Sequence, residues 1–119
     1  MRYVDGYVLP VPKKNLPAYR RMAQKEGKVW RDHGALEYVE CVADDVKPGK
    51  HTSLPQSVQL KPGETVVFVY VVYKSRAHRD RVNAKVMKDS RLANMMDPKA
   101  MPFDAKRMFW GGFKVLVDA

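Results

Sequence analysis

The run TVVFVYVVY, Thr65–Tyr73, constrains the fold more strongly than any other segment. Every residue in it is β-branched or aromatic, and residues of these types are enriched in strands. Residues 2–11 alternate with the period of a half-buried strand, which Pro10 and Pro12 are expected to end, and residues 36–45 alternate in the same way. A fourth strand with a Gly-Gly kink is expected in residues 107–117. The chain therefore needs a sheet of about four strands.

Two helices separate these strands. Asn15 is placed to cap a helix that has Pro17 in its first turn and ends before Gly34. A second helix covers Ala77–Met87, and residues 44–63 form a long connection. The order strand, helix, strand, strand, helix, strand predicts an α+β, ferredoxin-like fold with an antiparallel sheet. A length of 119 residues suits a single domain, residues 1–119.

Strand alternation divides this sheet into two faces, and the two helices can cover only one. We expect small positions to lie under the helices: Val4, Gly6, Val8, Val39, Cys41, Val67, Val69 and Val71. The opposite, open face then carries larger side chains: Tyr3, Asp5, Tyr7, Tyr38, Glu40, Phe68, Tyr70, Trp110 and Lys114. A monomer would expose that face to water. We therefore predict a homodimer through the open sheet face.

The net charge of +9 suggests a nucleic-acid partner. Most cations, however, lie on helix stripes that should face solvent anyway. The strand TVVFVYVVY also lacks the glycines and the leading cation of an RNA-recognition motif. Nucleic-acid binding is therefore ranked last among the functions considered.

Several other classes are disfavoured by composition. No apolar run is long enough to span a membrane and no signal-peptide pattern begins the sequence, so a cytoplasmic protein is expected. The single cysteine, Cys41, cannot form an internal disulfide. The histidines lack metal-ligand spacing, and there is no phosphate loop or nucleotide fingerprint. We predict no metal and no cofactor.

Five segments, in order along nearly the whole chain, resemble the DUF1428 family of uncharacterised bacterial proteins, which includes the YbaA-like proteins. They are YVDGYVLPVPKKN, GALEYVECVADDV, TSLPQSV, RDRVNAKVMKDSR and MPFDAKRMFWGGF. The resemblance implies the fold of the dimeric α/β barrels, a superfamily of cofactor-free monooxygenases, haem-degrading enzymes and proteins of no known activity. It implies a fold and a dimer, but no reaction.

Polar residues fall on the inward stripes of both predicted helices. Glu26 and His33 lie on that stripe of the first helix. Arg79, Asp80 and Asn83 lie on that of the second. Because burying an unpaired polar group is costly, we expect these residues to satisfy one another, with Arg79 and Glu26 as the charged members. The cluster either fixes helix packing or lines a ligand cleft.

A cleft between helices and sheet would hold a small polar or aromatic ligand. The candidate ligand-binding residues are Trp30, Arg79, Asp80, Asn83, Met87, Phe103 and Trp110. The candidate catalytic residues are Glu26 or His33 as general base, with Arg79 and Asn83 holding an oxyanion or carboxylate. Residues 92–108, rich in methionine, suggest an adaptable apolar flap. We predict a homodimeric small-molecule-binding protein; the alternatives are a cofactor-independent, monooxygenase-like enzyme and a charge-driven RNA binder.

Overall fold

Four antiparallel strands and four helices make up the computed structural model, which describes residues 1–95, 97 and 101–119. The strands are Tyr3–Pro12 (β1), Glu37–Val42 (β2), Glu64–Tyr73 (β3) and Phe109–Lys114 (β4). The helices are Leu16–Asp32 (α1), Leu54–Ser57 (α2), Arg76–Met87 (α3) and Ser90–Met95 (α4). The strands pair in the order β2-β3-β1-β4. The predicted α+β class and antiparallel sheet are confirmed.

Two local predictions differ from the structure. Pro10 was expected to end the first strand but lies within β1, whose pairing with β4 stops at Val8. Beyond Val8 that side of β1 is a free edge, where proline is tolerated because no N–H is needed. Asn15 precedes α1 without a side-chain capping bond; its amide Nδ2 donates instead to the carbonyl oxygen of Pro102 at 3.0 Å.

The predicted sheet faces were right for β3 and wrong for the other three strands. Residues paired across antiparallel strands share a face, and Asp5 pairs with Val71 while Tyr7 pairs with both Val69 and Trp110. The side toward the helices therefore includes Tyr3, Asp5, Tyr7, Tyr38, Glu40, Trp110 and Lys114. The open side includes Val4, Gly6, Val8, Val39 and Cys41, together with Phe68 and Tyr70.

The core between helices and sheet is split into two clusters. One contains Val29, Trp30, Val71, Tyr73, Val82 and Val86, where α1, α3 and α4 meet the sheet. The other contains Leu9, Val11, Tyr19, Ala23, Val67 and Val69, under the first half of α1. Tyr7 and Tyr38 pack against both clusters. These two tyrosines therefore lie where the clusters meet.

The methionine-rich segment is partly helical. Its first residues belong to α4, whose Leu92 is buried in the core. Its last residues form a 3-10 turn, Ala105–Arg107, in which the guanidinium of Arg107 is held by the carboxylate of Glu64 at 2.6 and 2.7 Å. That pair fixes the approach to β4. Positions 96 and 98–100, on which the flap prediction also falls, lie outside the described residues.

Candidate functional site

A cavity of about 270 Å³ opens between the helices and the sheet, at the junction of the two core clusters. The described residues that line it come from α1, α3 and α4, from all four strands, and from the segment before β4. Lining residues are Tyr7, Leu9, Tyr19, Met22, Glu26, Trp30, Tyr38, Glu40, Val69, Asn83, Met87, Leu92, Met101, Phe103, Met108 and Trp110. The surface they present is mostly apolar, as in many small-molecule sites.

Six aromatic rings form much of this wall. Tyr7 of β1 stacks on Trp110 of β4, with ring centroids 5.8 Å apart. Trp30 of α1 lies 5.7 Å from Tyr38 of β2, and Tyr19 meets the edge of Phe103 at 5.7 Å. Tyr38 can reach this position because α1 carries Gly27 above it: a Cβ there would lie 2.8 Å from the Tyr38 ring. The glycine therefore permits close approach of α1 to β2.

Two carboxyl groups form the polar edge of the cavity, and tyrosine hydroxyls join them. The Tyr38 hydroxyl donates to Glu40 Oε2 at 2.7 Å and lies 3.3 Å from Glu26 Oε2. The Tyr19 hydroxyl donates to Glu40 Oε1. Glu40 is thus satisfied on both oxygens, whereas the contact between Tyr38 and Glu26 is long for a hydrogen bond between oxygens.

Glu26 differs from an ordinary surface glutamate in its acidity. Burial raises the pKa of Glu26 to about 7, and the charge of Glu40 adds to this effect, while the Tyr38 hydroxyl opposes it. Burial likewise raises the pKa of Tyr7, Tyr19 and Tyr38 far above 10. The tyrosines therefore remain hydrogen-bond donors at neutral pH, and Glu26 exchanges a proton there. A carboxyl group with these properties can act as an acid or a base.

Asn83 joins the cavity to a buried polar cluster beneath it. Its Oδ1 accepts from the Trp30 indole at 3.2 Å and from the Tyr73 hydroxyl at 3.1 Å. Its Nδ2 lies 3.5 Å from Asp5 Oδ2. The amide thus satisfies partners on α1, β3 and β1, which accounts for a polar residue on the inward face of α3.

Arg79 is engaged by Asp5 and not by Glu26. Its Nη1 donates to Asp5 Oδ1 at 3.1 Å, and its Nη2 lies 3.3 Å from the Tyr3 hydroxyl, with the guanidinium over the Tyr3 ring. Burial raises the pKa of Asp5, which is fully buried, although Arg79 and Asn83 oppose this effect. The predicted pairing of Arg79 with Glu26 is therefore wrong. It assumed that Asp5 lay on the open face.

The structure places the predicted site residues in two groups. The cavity is lined by Glu26, Trp30, Asn83, Met87, Phe103 and Trp110. The predicted residues His33, Arg79 and Asp80 are absent from its described walls. His33 lies at the far end of α1, where its Nε2 is 2.8 Å from Asp89 Oδ2. Asp80 is exposed and forms an ion pair with Arg79, with 2.9 Å between Asp80 Oδ1 and Arg79 Nε, but the two atoms do not have the geometry of a hydrogen bond.

Sequence reasoning missed the residues that the strands contribute. Glu40 and the tyrosines Tyr7 and Tyr38 were assigned to the open face, so they were not considered for the cleft. Tyr19 of α1 also lines the cavity but was not proposed as a site residue. What places the strand residues is the register of the sheet: Tyr38, Glu40 and Val42 pair with valines of β3 that were correctly placed under the helices. Alternation within β2 alone does not fix that register.

Metal binding and membrane spanning find no support in residues 1–95, 97 and 101–119. No group of three or more histidine, cysteine, aspartate and glutamate side chains in these ranges is arranged to hold a metal ion. None of the helices in the same ranges has the length and apolar character needed to cross a bilayer.

Comparison with known sequences relates the chain to proteins whose function is unknown. The sequence model of DUF1428, described as a protein of unknown function, matches residues 2–105. The uncharacterized protein YbaA of Escherichia coli K12 is 43% identical over 118 residues, covering 99% of both chains. The uncharacterized YbaA of Shigella flexneri shows the same identity and coverage.

Comparison with solved structures reports on the fold. A NIPSNAP family protein of unknown function from Agrobacterium tumefaciens has a TM-score of 0.58 at 14% identity, covering 96% of this chain and 87% of the other. A NIPSNAP domain protein from Burkholderia xenovorans scores 0.55 at 13% identity, covering 98% and 94%. A Mycobacterium tuberculosis protein scores 0.54 at 14% identity, covering 100% and 99%. At these identities the likeness shows the fold alone.

Proposed function

Because the chain belongs to the DUF1428 family, whose function is unknown, we propose a function from the geometry of the cavity: the protein binds a small, largely apolar molecule between its helices and its sheet. The observation that carries the proposal is a cavity of about 270 Å³ walled by six aromatic residues and two carboxyl groups. Its aromatic and aliphatic walls supply apolar contact area, and its few polar groups can fix the orientation of a ligand.

The presence of an unfilled cavity between two core clusters supports the proposal. Protein interiors are normally close-packed, and leaving apolar space unfilled lowers stability. Buried core clusters lie on both sides of the cavity, one around Val71 and Val86 and the other around Val11 and Val67. A larger residue at Val69 would fill the space, so the small side chain there keeps the cavity open.

Ligand binding can be tested with 2-phenylethanol, a neutral aromatic probe, by calorimetry and by thermal unfolding. Binding to the folded state raises the melting temperature in a concentration-dependent way. Val69→Phe should abolish binding because the added ring occupies the cavity. Val42→Phe is the matched control, since Val42 is exposed and does not line the described cavity wall. Equal binding by both variants would contradict the proposal.

A second candidate is a cofactor-independent enzyme that uses Glu26 as a general base. The observation that favours it is a pKa of about 7 for a carboxyl group facing an apolar cavity, since a base is most effective near the working pH. Deuterium exchange into 4-phenyl-2-butanone, followed by NMR, tests for proton abstraction beside a carbonyl. Exchange accelerated by the protein and lost in Glu26→Gln would support this candidate, whereas equal rates would reject it for this reaction.

We also propose that the protein is a ferredoxin-like dimeric α/β barrel, in which two copies meet through their open sheet faces. The strand order β2-β3-β1-β4 supports this fold. The open face carries the exposed rings of Phe68, Phe109 and Phe113. The charged residues that the described strands place on it are Glu37 and Glu64, and Glu64 is paired with Arg107. A mostly apolar surface of this kind does not attract the phosphate groups of a nucleic acid. A second copy of the chain presents a surface of the same size and chemistry and can cover it.

A further inference from the structure

We propose that the cavity selects an amine: a small aromatic or aliphatic ammonium ion, held by the surrounding aromatic rings and by the carboxyl groups of Glu26 and Glu40. This inference rests on the proposed function, because it names the class of molecule that the cavity binds. Three features of the cavity support an amine: the charges of the lining residues, the free hydrogen-bonding capacity of Glu26, and the arrangement of the rings.

The charge of the cavity is opposite to that of the chain. The chain carries a net charge of +9. Yet the described residues that line the cavity include two glutamates and no lysine, arginine or histidine. Arg79, the cation that was predicted for the site, is paired with Asp5 and Asp80. An anionic ligand would therefore meet two carboxyl groups with no compensating charge on the described wall, and an ammonium ion would meet complementary ones.

Glu26 retains acceptor capacity that a ligand can use. Within the described part of the chain, its polar contact is with the Tyr38 hydroxyl, 3.3 Å from its Oε2, and that hydroxyl donates to Glu40 at 2.7 Å. Glu40, in contrast, accepts from two tyrosines. An ammonium group has three N–H donors and no acceptor, so it suits a carboxylate with unused lone pairs.

The rings around the carboxyl groups favour a cation as well. Trp30 and Tyr38 meet at 5.7 Å, and Tyr7 and Trp110 stack at 5.8 Å on the sheet side of the same cavity. The face of an aromatic ring is negative and attracts ammonium groups, most strongly in tryptophan and in sites shielded from water. Aromatic rings beside a carboxylate are a typical way to recognise an organic cation.

Amine binding is expected to depend on pH through Glu26. The ionisable groups that face Glu26 are Glu40 and Tyr38 on β2, Tyr19 on α1 and Tyr7 on β1. Asn83 of α3 and Trp110 of β4 do not ionise. The pKa of Glu26 is about 7 without ligand. At pH 6 its carboxyl group is therefore mostly protonated, and it must release that proton in order to pair with an ammonium ion. Affinity for the amine therefore falls as pH drops below 7.

The experiment compares three probes of similar shape with the full chain: 2-phenylethylamine, 2-phenylethanol and phenylacetate. Calorimetry at pH 8 and pH 5.5, in buffers of different ionisation heat, measures affinity and proton release. At pH 8 we expect the amine to bind at least about tenfold more tightly than the alcohol, and phenylacetate most weakly. Between pH 8 and pH 5.5 the affinity for the amine should fall by about tenfold or more, and that for the alcohol should change little.

Glu26→Gln should remove the preference for the amine and the proton release while keeping alcohol binding. Asp45→Asn, which neutralises an exposed carboxyl group in the loop after β2 and away from the cavity wall, is the matched control and should behave like the parent. If the alcohol binds as well as the amine, or phenylacetate binds best, the amine inference is overturned and the small-molecule site stands. If none of the probes binds, both fail. If Glu26→Gln does not fold, the pH dependence of amine binding by the parent tests the inference in its place.

Discussion

Replacement of Glu26 by glutamine should change how stability depends on pH. The carboxyl group has an ordinary pKa of 4.5, but burial and the charge of Glu40 raise its pKa to about 7 in the folded chain. Between these values the folded state holds a proton that the unfolded state has lost, so the free energy of unfolding falls as pH rises. Because each pKa unit corresponds to about 1.4 kcal/mol, the fall attributable to Glu26 is about 3 kcal/mol.

Glutamine keeps the size and hydrogen-bonding groups of the side chain but does not ionise. The variant should therefore match the parent to within about 1 kcal/mol near pH 4.5 and exceed it by about 3 kcal/mol at pH 8.5. Urea unfolding at fixed protein concentration, in steps across this range, measures the difference. Asp45→Asn, in the exposed loop after β2, should run parallel to the parent. A parallel curve for Glu26→Gln would refute the burial argument.

Three further predictions concern the surroundings of the cavity. Asn83→Ala should lower the free energy of unfolding by about 1 to 3 kcal/mol, because it strands the Trp30 and Tyr73 donors; urea unfolding that matches the parent would contradict this. Arg79→Met should cost about 3 to 5 kcal/mol by leaving Asp5 buried without its partner, and adding Asp5→Asn should recover part of the loss. Phe113→Glu, on the open face, should halve the mass measured by light scattering, whereas Leu116→Glu, which is exposed outside the sheet, should leave the mass unchanged. A parent protein that is itself monomeric would contradict the proposed dimer.

Helical periodicity was sufficient to find the part of the site that α1 and α3 provide. A period of 3.6 residues fixes which positions share a stripe once one buried position is known. It therefore placed Glu26, Trp30 and Asn83 on inward faces, and all three line the cavity. His33 was extrapolated one residue too far: it is the C-cap of α1, where the helical geometry ends, and its ring turns toward Asp89.

Strand periodicity could not give the rest, because alternation defines two faces without saying which one the helices cover. The small residues of β1 and β2 were assigned to the helices by size, and a shift of one residue sends every side chain to the other face. Asp5 illustrates the difficulty. A charged residue suggests solvent, and its burial is tolerable because Arg79 and Asn83 lie opposite it. Such a partner is set by tertiary packing.

The central claim is that the cavity between helices and sheet binds a small molecule. The chain has two tryptophans, Trp30 and Trp110, and both line that cavity. In a ¹⁵N-labelled sample their indole N–H groups give two resolved NMR signals outside the backbone region. Titration with 2-phenylethanol should move both signals, with one saturation curve, and Val69→Phe should suppress the movement. If both indole signals stay fixed as the probe is added to saturation, the claim is contradicted. It is also contradicted if the indole signals stay fixed while backbone amides far from the cavity shift, because the probe then binds elsewhere.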